Sequence, residues 1–522
     1  MRKSLLVAAA AALLLSSTAL AAPGLRVGAV EDAAIWGDAG AQMDLAKLAG
    51  FDTVRMTAQW TVGQTALPPA QMARIQHAAT AATVRGIQPI VAIYNQGGAA
   101  TPADEGSRRL FAIFARTVAE QLPWVTTFIV GNEPNSNLYW QPQFDASGGD
   151  AAALAYEQLL AAGYDAIKAV RPNATVVGGA LDSRGADDPA SKRQTHSPTQ
   201  FIQDLGAAYR ASGRTTPIMD VFDEHVYADN SSLPPSMPHI GTAIATGDYR
   251  KLVALLGKAF DGTAQKGSTL PILYGEFGVE SAVPGEKAFR YSGAEAAKAV
   301  DEATQARYYT EALELAYCAP NVIGFLNFHV VDESNLNGFQ SGPFYADGLP
   351  KSSFQAFHDA IAAAHARTLT SCPDTTAPSV TMQLGDGTVN ANASDDVGVG
   401  EVQLVVNGSV VAADYTAPYS FTWMRPTSGG YVVQLRALDA AGNIGTATTA
   451  VGVRTLSGAR GKLASGPGGT FTWRAPKTAP VTFTSGRALR VGKLAGKRVR
   501  FNATRGVTYE LSVSALPLSW QS

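Results

Sequence analysis

Between Leu25 and Leu369 the chain alternates short apolar runs with amphipathic helical stretches, and this alternation restricts the fold more than any other feature. The runs are Arg26–Val30, Thr53–Thr57, Pro89–Tyr94, Thr126–Val130, Thr175–Gly179, Val221–Val226, Pro271–Tyr274 and Val322–Phe328. Most are rich in Val, Ile, Leu or Phe and lack strict polar–apolar alternation, the pattern of strands buried on both faces of a parallel sheet. Between them, Leu110, Phe114, Val118 and Leu122 repeat at helical spacing, and Asp248 and Lys351 stand where helix N-terminal signals belong. Eight strand–helix units predict an α/β fold closed into a (β/α)8 TIM barrel over residues 22–370. A doubly wound sheet is the alternative, but it seldom repeats the unit eight times.

The flanking segments read differently. Met1-Arg2-Lys3, an apolar core from Leu5 to Leu15 and Ala19-Leu20-Ala21 predict a bacterial-type signal peptide over 1–21, and with it a secreted protein. No later stretch reaches the roughly 18 uninterrupted apolar residues of a membrane helix, so no membrane span is expected. A linker is expected over 371–376. Period-two patterns follow: Val402, Leu404, Val406; Tyr419, Phe421, Trp423; Tyr431, Val433, Leu435, Ala437. They predict a β-sandwich over 377–454. There, Ala393–Gly400 and Asp439–Asn443 resemble bacterial Ig-like modules of secreted enzymes. Residues 455–522 read as a further β-rich, basic module in which Trp473 and Trp520 look exposed.

The net charge of −2, without long runs of either sign, excludes the electrostatic footprint of a nucleic-acid binder. A monomer is expected. The two cysteines, Cys318 and Cys372, bracket the eighth strand and its helix, and in an exported chain they predict one structural disulfide. The seven histidines show no paired metal spacing and no Gly-x-Ser-x-Gly elbow occurs, so neither a metal, a cofactor nor a serine nucleophile is expected.

Functional groups of such a barrel collect where strands end. The fourth run ends Val130-Gly131-Asn132-Glu133-Pro134 and the seventh Tyr274-Gly275-Glu276-Phe277. Each places one glutamate directly after an apolar run, where burial is costly without partners. Two carboxyl groups facing across a cleft are the minimum apparatus for glycoside hydrolysis, provided their surroundings separate their pKa values. Either tripeptide alone is a weak signal. Their joint placement after strands four and seven, almost opposite in an eight-stranded barrel, is specific.

On these motifs, residues 25–369 resemble the clan of retaining (β/α)8 glycoside hydrolases that holds the cellulase-like and β-xylosidase-like families. The resemblance implies Glu133 as acid/base, Glu276 as nucleophile and Asn132 as a partner of the sugar 2-hydroxyl. It also implies that Arg55 keeps Glu276 ionised, that Tyr227 donates to Glu276, and that His225 contacts substrate or the acid/base. Asp223 and Glu224, beside His225, have no role in it. The clan's tryptophan platform after strand eight is missing, since the chain reads Asn327-Phe328-His329. Phe328, His329, Trp140 or Trp60 is expected to replace it, because an aromatic face stacks on the apolar face of a pyranose. The expected partner is a β-linked oligo- or polysaccharide. The rival readings are a non-catalytic carbohydrate-binding protein on the same scaffold and a transglycosylase.

Overall fold

The structure, a computed structural model, describes residues 24–239, 241–295, 297–370 and, with interruptions, 377–513. The signal segment, the 371–376 linker, Cys372 and Trp520 lie outside the described residues. The chain divides into two compact units between positions 373 and 374.

In the first unit eight parallel strands close into a barrel in sequence order. They are β1 (Arg26–Val30), β2 (Thr53–Trp60), β3 (Gln88–Asn95), β4 (Thr127–Val130), β5 (Thr175–Leu181), β6 (Val221–His225), β7 (Ile272–Phe277) and β8 (Val322–Phe328). The (β/α)8 reading is therefore correct and the doubly wound sheet is not. Several strands run further toward the functional face than their apolar runs; β2 gains Ala58–Trp60 and β7 takes in Glu276 and Phe277. Ladder pairing with neighbours carries a strand past the point where its composition turns polar.

Helices α1 (Ala33–Trp36), α2 (Ala39–Ala49), α3 (Pro69–Val84), α4 (Glu105–Gln121), α5 (Ala151–Val170), α6 (Pro198–Ser212), α7 (Tyr249–Phe260), α8 (Glu302–Tyr317) and α9 (Phe354–His365) surround the sheet. Their starts follow ordinary capping chemistry: Asp104 accepts from Ser107 N and Asp150 from Ala153 N. In α4, Phe111, Phe114, Ala115 and Val118 turn inward. Inside the barrel Val30, Ile90, Ile129, Val177, Val221, Leu273 and Leu326 form a separate small core.

The two helix-start expectations fare differently. Asp248 is the N-cap residue of α7, as expected, but its side chain makes no capping bond; its carboxylate accepts from Ala245 N at 2.9 Å and from His239 N at 3.0 Å, bracing the preceding loop. Lys351 starts no helix. It is buried, with its ammonium 2.7 Å from Asp332 and donating to Ser281 Oγ at 2.9 Å. Cys318, which follows α8, is disulfide-bonded. Among the described residues no helix is long and apolar enough to cross a membrane.

The second unit opens with a β-sandwich. One sheet pairs β9 (Ser379–Leu384), β10 (Thr388–Ser394) and β13 (Ser420–Thr422); the other orders β12 (Ser409–Asp414), β11 (Val399–Val406), β14 (Gly429–Asp439) and β15 (Ile444–Val453). Val402, Leu404, Tyr419, Phe421, Val433, Leu435 and Ala437 fill the core between them, as their alternation predicts. Further antiparallel strands occur between Ala464 and Val513, with Trp473 in one of them.

Candidate active site

Glu276 is the penultimate residue of β7, and Glu133 lies on the segment after β4. The chain leaves β4 through Gly131, at φ 98°, where a Cβ would lie 2.7 Å from the Tyr156 ring. Glu133 itself sits at φ 42°, a left-handed conformation that non-glycine residues rarely adopt. It is held there by Glu133 N donating to Ala180 O at 2.7 Å. Strain of this kind survives only where surrounding contacts impose it.

These turns bring Glu133, His225 and Glu276 together, one oxygen or nitrogen of each lying within 4.8 Å of the others. His225 Nδ1 lies 3.0 Å from Glu133 Oε1 and 3.5 Å from Glu276 Oε2, so the ring bridges the two carboxyl groups. Glu276 has two further partners: Arg55 Nη1 donates to Oε1 at 2.7 Å and Tyr227 Oη donates to Oε2 at 3.0 Å. The second Arg55 nitrogen, Nη2, donates to Asn132 Oδ1 at 2.7 Å. That bond leaves the Asn132 amide nitrogen as a donor for something else.

The surroundings drive the two carboxyl groups apart. Burial pushes Glu133 up; its hydrogen bond to His225 offsets only part of this, and the charges of Asp182 and Glu276 add to the rise. Burial pushes Glu276 up as well. There, however, the charges of His225 and Arg55 and the Tyr227 hydroxyl outweigh it and hold the group below the ordinary glutamate range. Glu133 thus tends to keep its proton and Glu276 to lose it. Asp223, below His225 on β6, accepts from Gly275 N at 2.8 Å, and burial raises it to about 6. Its carboxylate occupies the space a side chain at 275 would need, since a Cβ there would lie 2.1 Å from Asp223 Oδ1.

Among the described residues, Glu133, His225 and Glu276 are the one group of three close enough to share a metal ion. The Arg55 guanidinium already supplies a fixed positive charge to that group, and a cation there would have to compete with it.

The cleft around the pair has a volume of about 570 Å³, and Arg55, Asn132, Glu133, Tyr227, Glu276, Phe328 and His329 line it. The two tryptophans do not. Trp140 is 2 % exposed and packs edge-on against Tyr156, and Trp60 is fully buried against Phe111 with its indole N–H donating to Gln64 O. The expectation that Trp140 contacts sugar is therefore corrected. Its neighbours Leu138 and Tyr139 face the cleft, and the turn carries residue 140 into the core behind them. The aromatic wall is instead Tyr227, Phe328 and Phe339, with Phe328 and Phe339 ring centroids 4.7 Å apart. Phe339 lies in the long loop after β8, where the sequence gives no signal for it. Tyr94, Tyr139 and Asp182 also line the cleft without having been anticipated. Tyr94 was accessible by parity, being two residues beyond the interior Ala92 on β3. Asp182 directly follows β5, the kind of position that exposed Glu133 and Glu276.

Residues 375–450 match the family described as bacterial Ig domain. No curated protein matches the chain. Solved structures similar to it include the exo-β-1,4-mannosidase Op5Man5 of Opitutaceae bacterium strain TAV5, with 18 % identity, 68 % of this chain covered and a TM-score of 0.43. The match spans 63 % of that mannosidase's own length. A GH5_18 protein of Streptomyces cattleya in complex with GlcNAc has 18 % identity, coverage of 68 % of this chain and 83 % of its own, and a TM-score of 0.47. A family 1 β-glucosidase of Thermotoga maritima has 11 % identity, coverage of 66 % and 99 %, and a TM-score of 0.44.

Proposed function

We propose that the chain is a secreted retaining hydrolase of β-linked glycosides. The observation that carries this reading is the Glu133–Glu276 pair, two carboxyl groups with oxygens within 4.8 Å of each other and opposed proton affinities. Retaining enzymes hold their carboxyl groups about 5 Å apart, whereas inverting ones leave roughly 6.5–9.5 Å for an intervening water. The spacing supports attack by a carboxylate on the sugar itself.

In this reading Glu276, ionised beside Arg55 and Tyr227, attacks the anomeric carbon. Glu133 gives its proton to the departing glycosidic oxygen. The covalent glycosyl–Glu276 ester is then cleaved by water, from which Glu133, now a base, takes a proton. Arg55 fixes Asn132 so that its amide N–H2 can meet the sugar 2-hydroxyl, a contact that strengthens as positive charge grows at the anomeric carbon. Tyr227, Phe328 and Phe339 supply the apolar wall for the pyranose face. The completeness of this set favours catalysis over mere binding.

The test is hydrolysis of a panel of 4-nitrophenyl β-glycosides by the purified chain beside Glu133→Ala and Glu276→Ala. Turnover by the native chain is expected, with Glu276→Ala inactive and Glu133→Ala partly restored by azide, which needs no acid/base. A native chain inactive on every aryl glycoside and polysaccharide offered would overturn the proposal.

A further inference from the structure

The loops that wall the cleft also wall a second depression. Gly98 follows β3, Asn137 and Gln141 follow β4, and Ser191, Lys192 and Gln194 follow β5; these residues line a groove of about 650 Å³. Leu138, Tyr139 and Arg193, which alternate with them in sequence, line the cleft. The groove and the cleft therefore share one crest, built from the segments at 137–141 and 191–194. Leu138 stands on that crest 57 % exposed.

The crest is preformed. Gly98 N donates to Leu138 O at 2.7 Å, Asn95 Nδ2 to Tyr139 O at 2.6 Å and Gln141 N to Thr101 Oγ1 at 2.8 Å, tying the β3 and β4 loops together. Ser136 forms an antiparallel bridge with Thr195, and His196 N donates to Asn135 O at 2.9 Å, tying the β4 and β5 loops. Gly98 is required by this closeness, since a Cβ there would lie 2.5 Å from Asn137 O. A surface already held in shape loses little freedom when something binds it.

We infer that the groove is a distant subsite for the leaving-group side of a β-linked polysaccharide, resting on the retaining-hydrolase reading above. Direction follows from the proposed chemistry. Glu133 protonates the leaving oxygen and follows β4, the middle of the three strands whose loops build the groove, while Glu276 stands on β7 across the barrel. The departing part of the substrate thus extends toward the crest. The groove offers the Asn137 carboxamide and the Lys192 ammonium. The Nε2 atoms of Gln141 and Gln194 donate to Asn137 O and Pro189 O, and the Ser191 hydroxyl donates to Arg193 O. The two carboxamide oxygens and the Ser191 oxygen are left as acceptors for sugar hydroxyls. Leu138 gives the apolar C–H face of a sugar a surface to cross. The substrate is then a hydroxyl-rich chain of several units, not a terminal monosaccharide conjugate.

The experiment compares the full chain with Asn137→Ala/Lys192→Ala and with Ser191→Trp, which fills the groove from an exposed loop. Each is assayed on 4-nitrophenyl β-glycosides and on soluble glucomannan, xylan and mixed-linkage β-glucan, and by retardation in gels containing each polymer. On the polymer cleaved, kcat/KM is expected to fall about ten-fold, as the loss of one or two hydrogen bonds would produce. Aryl glycoside turnover should stay within about two-fold of native, since those substrates end before the crest. Parallel loss on both substrate classes, no loss on either, or a native chain that cleaves aryl glycosides but no polymer would overturn the subsite and leave the hydrolase reading intact. If the native chain cleaves nothing, the hydrolase reading falls. Gel retardation then decides the groove separately: retention by native chain that both variants share overturns it, as does no retention at all.

Discussion

Arg55 Nη1 stands 2.7 Å from Glu276 Oε1 while Nη2 of the same guanidinium stands 2.7 Å from Asn132 Oδ1. One side chain on β2 thereby fixes residues from β7 and from the segment after β4. It can do so because its planar fork presents two donors in a fixed geometry.

Arg55→Lys is accordingly a severe change despite keeping the charge. An ammonium cannot hold both acceptors at these positions, so either Glu276 or Asn132 loses its orientation. We expect kcat/KM on an aryl β-glycoside to fall about 10²–10³-fold, the loss typical of removing one preorganised donor from an active site. Far-UV circular dichroism should show the fold unchanged. Native-level turnover by Arg55→Lys would mean that the fork has no part in the reaction.

The opposed proton affinities predict a bell-shaped pH profile of kcat/KM whose two limbs respond most strongly to different neighbours. The acidic limb reports Glu276, which must be ionised, and the basic limb reports Glu133, which must be protonated. Tyr227→Phe removes a hydrogen bond that lowers Glu276, so the acidic limb should move to higher pH. Asp182→Asn removes a negative charge that raises Glu133, so the basic limb should move to lower pH. Profiles over about pH 3–9 on one aryl glycoside check both signs. If both variants move the same limb, the two roles are wrongly divided.

Much of this site is legible in the sequence because a parallel barrel leaves a simple trace. Strands covered on both faces are apolar throughout, so a lone charged residue in or just after one, such as Arg55, Glu133 or Glu276, is conspicuous. What was not legible depends on loops. Trp140 and Tyr139 are adjacent aromatics, and only the course of the turn decides that one enters the core and the other the cleft. Phe339 reaches Phe328 from a loop whose path no periodicity encodes. Lys351 carries the charge of a surface residue but neutralises Asp332 in the interior.

The corrected aromatic assignment separates two phenotypes. Phe339→Ala removes part of the cleft wall and should raise KM several-fold with little change in thermal stability. Trp140→Ala empties a packed site against Tyr156 and should destabilise the first unit by about 3–5 kcal/mol. The conservative Trp140→Phe should keep KM on aryl glycosides. Thermal unfolding and Michaelis–Menten kinetics on all three variants test the assignment, and a KM defect in a stable Trp140→Phe would return residue 140 to the sugar.

Glu224 supplies the last prediction. It lies between Asp223 and His225 on β6, is fully buried, and neither carboxylate oxygen has a hydrogen-bond partner among the described residues. Burial pushes its carboxyl well above the ordinary range; the negative charges of Asp223 and Asp182 add to this, against the opposing charge of Lys251. The folded chain therefore holds this proton more tightly than the unfolded chain does. Below the unfolded value both states carry the proton and the site has no pH-dependent cost. As pH rises above it, the unfolded state alone releases the proton, and the folded state loses relative stability until the folded value is reached. Glu224→Leu removes both the titration and an unsatisfied polar group. It should stabilise the first unit by about 1–3 kcal/mol near neutral pH and by less near pH 4.5. Thermal unfolding of native and variant chains at the two pH values measures the difference. A Glu224→Leu chain that is less stable than native at neutral pH would show that the carboxyl has a partner that outweighs its burial.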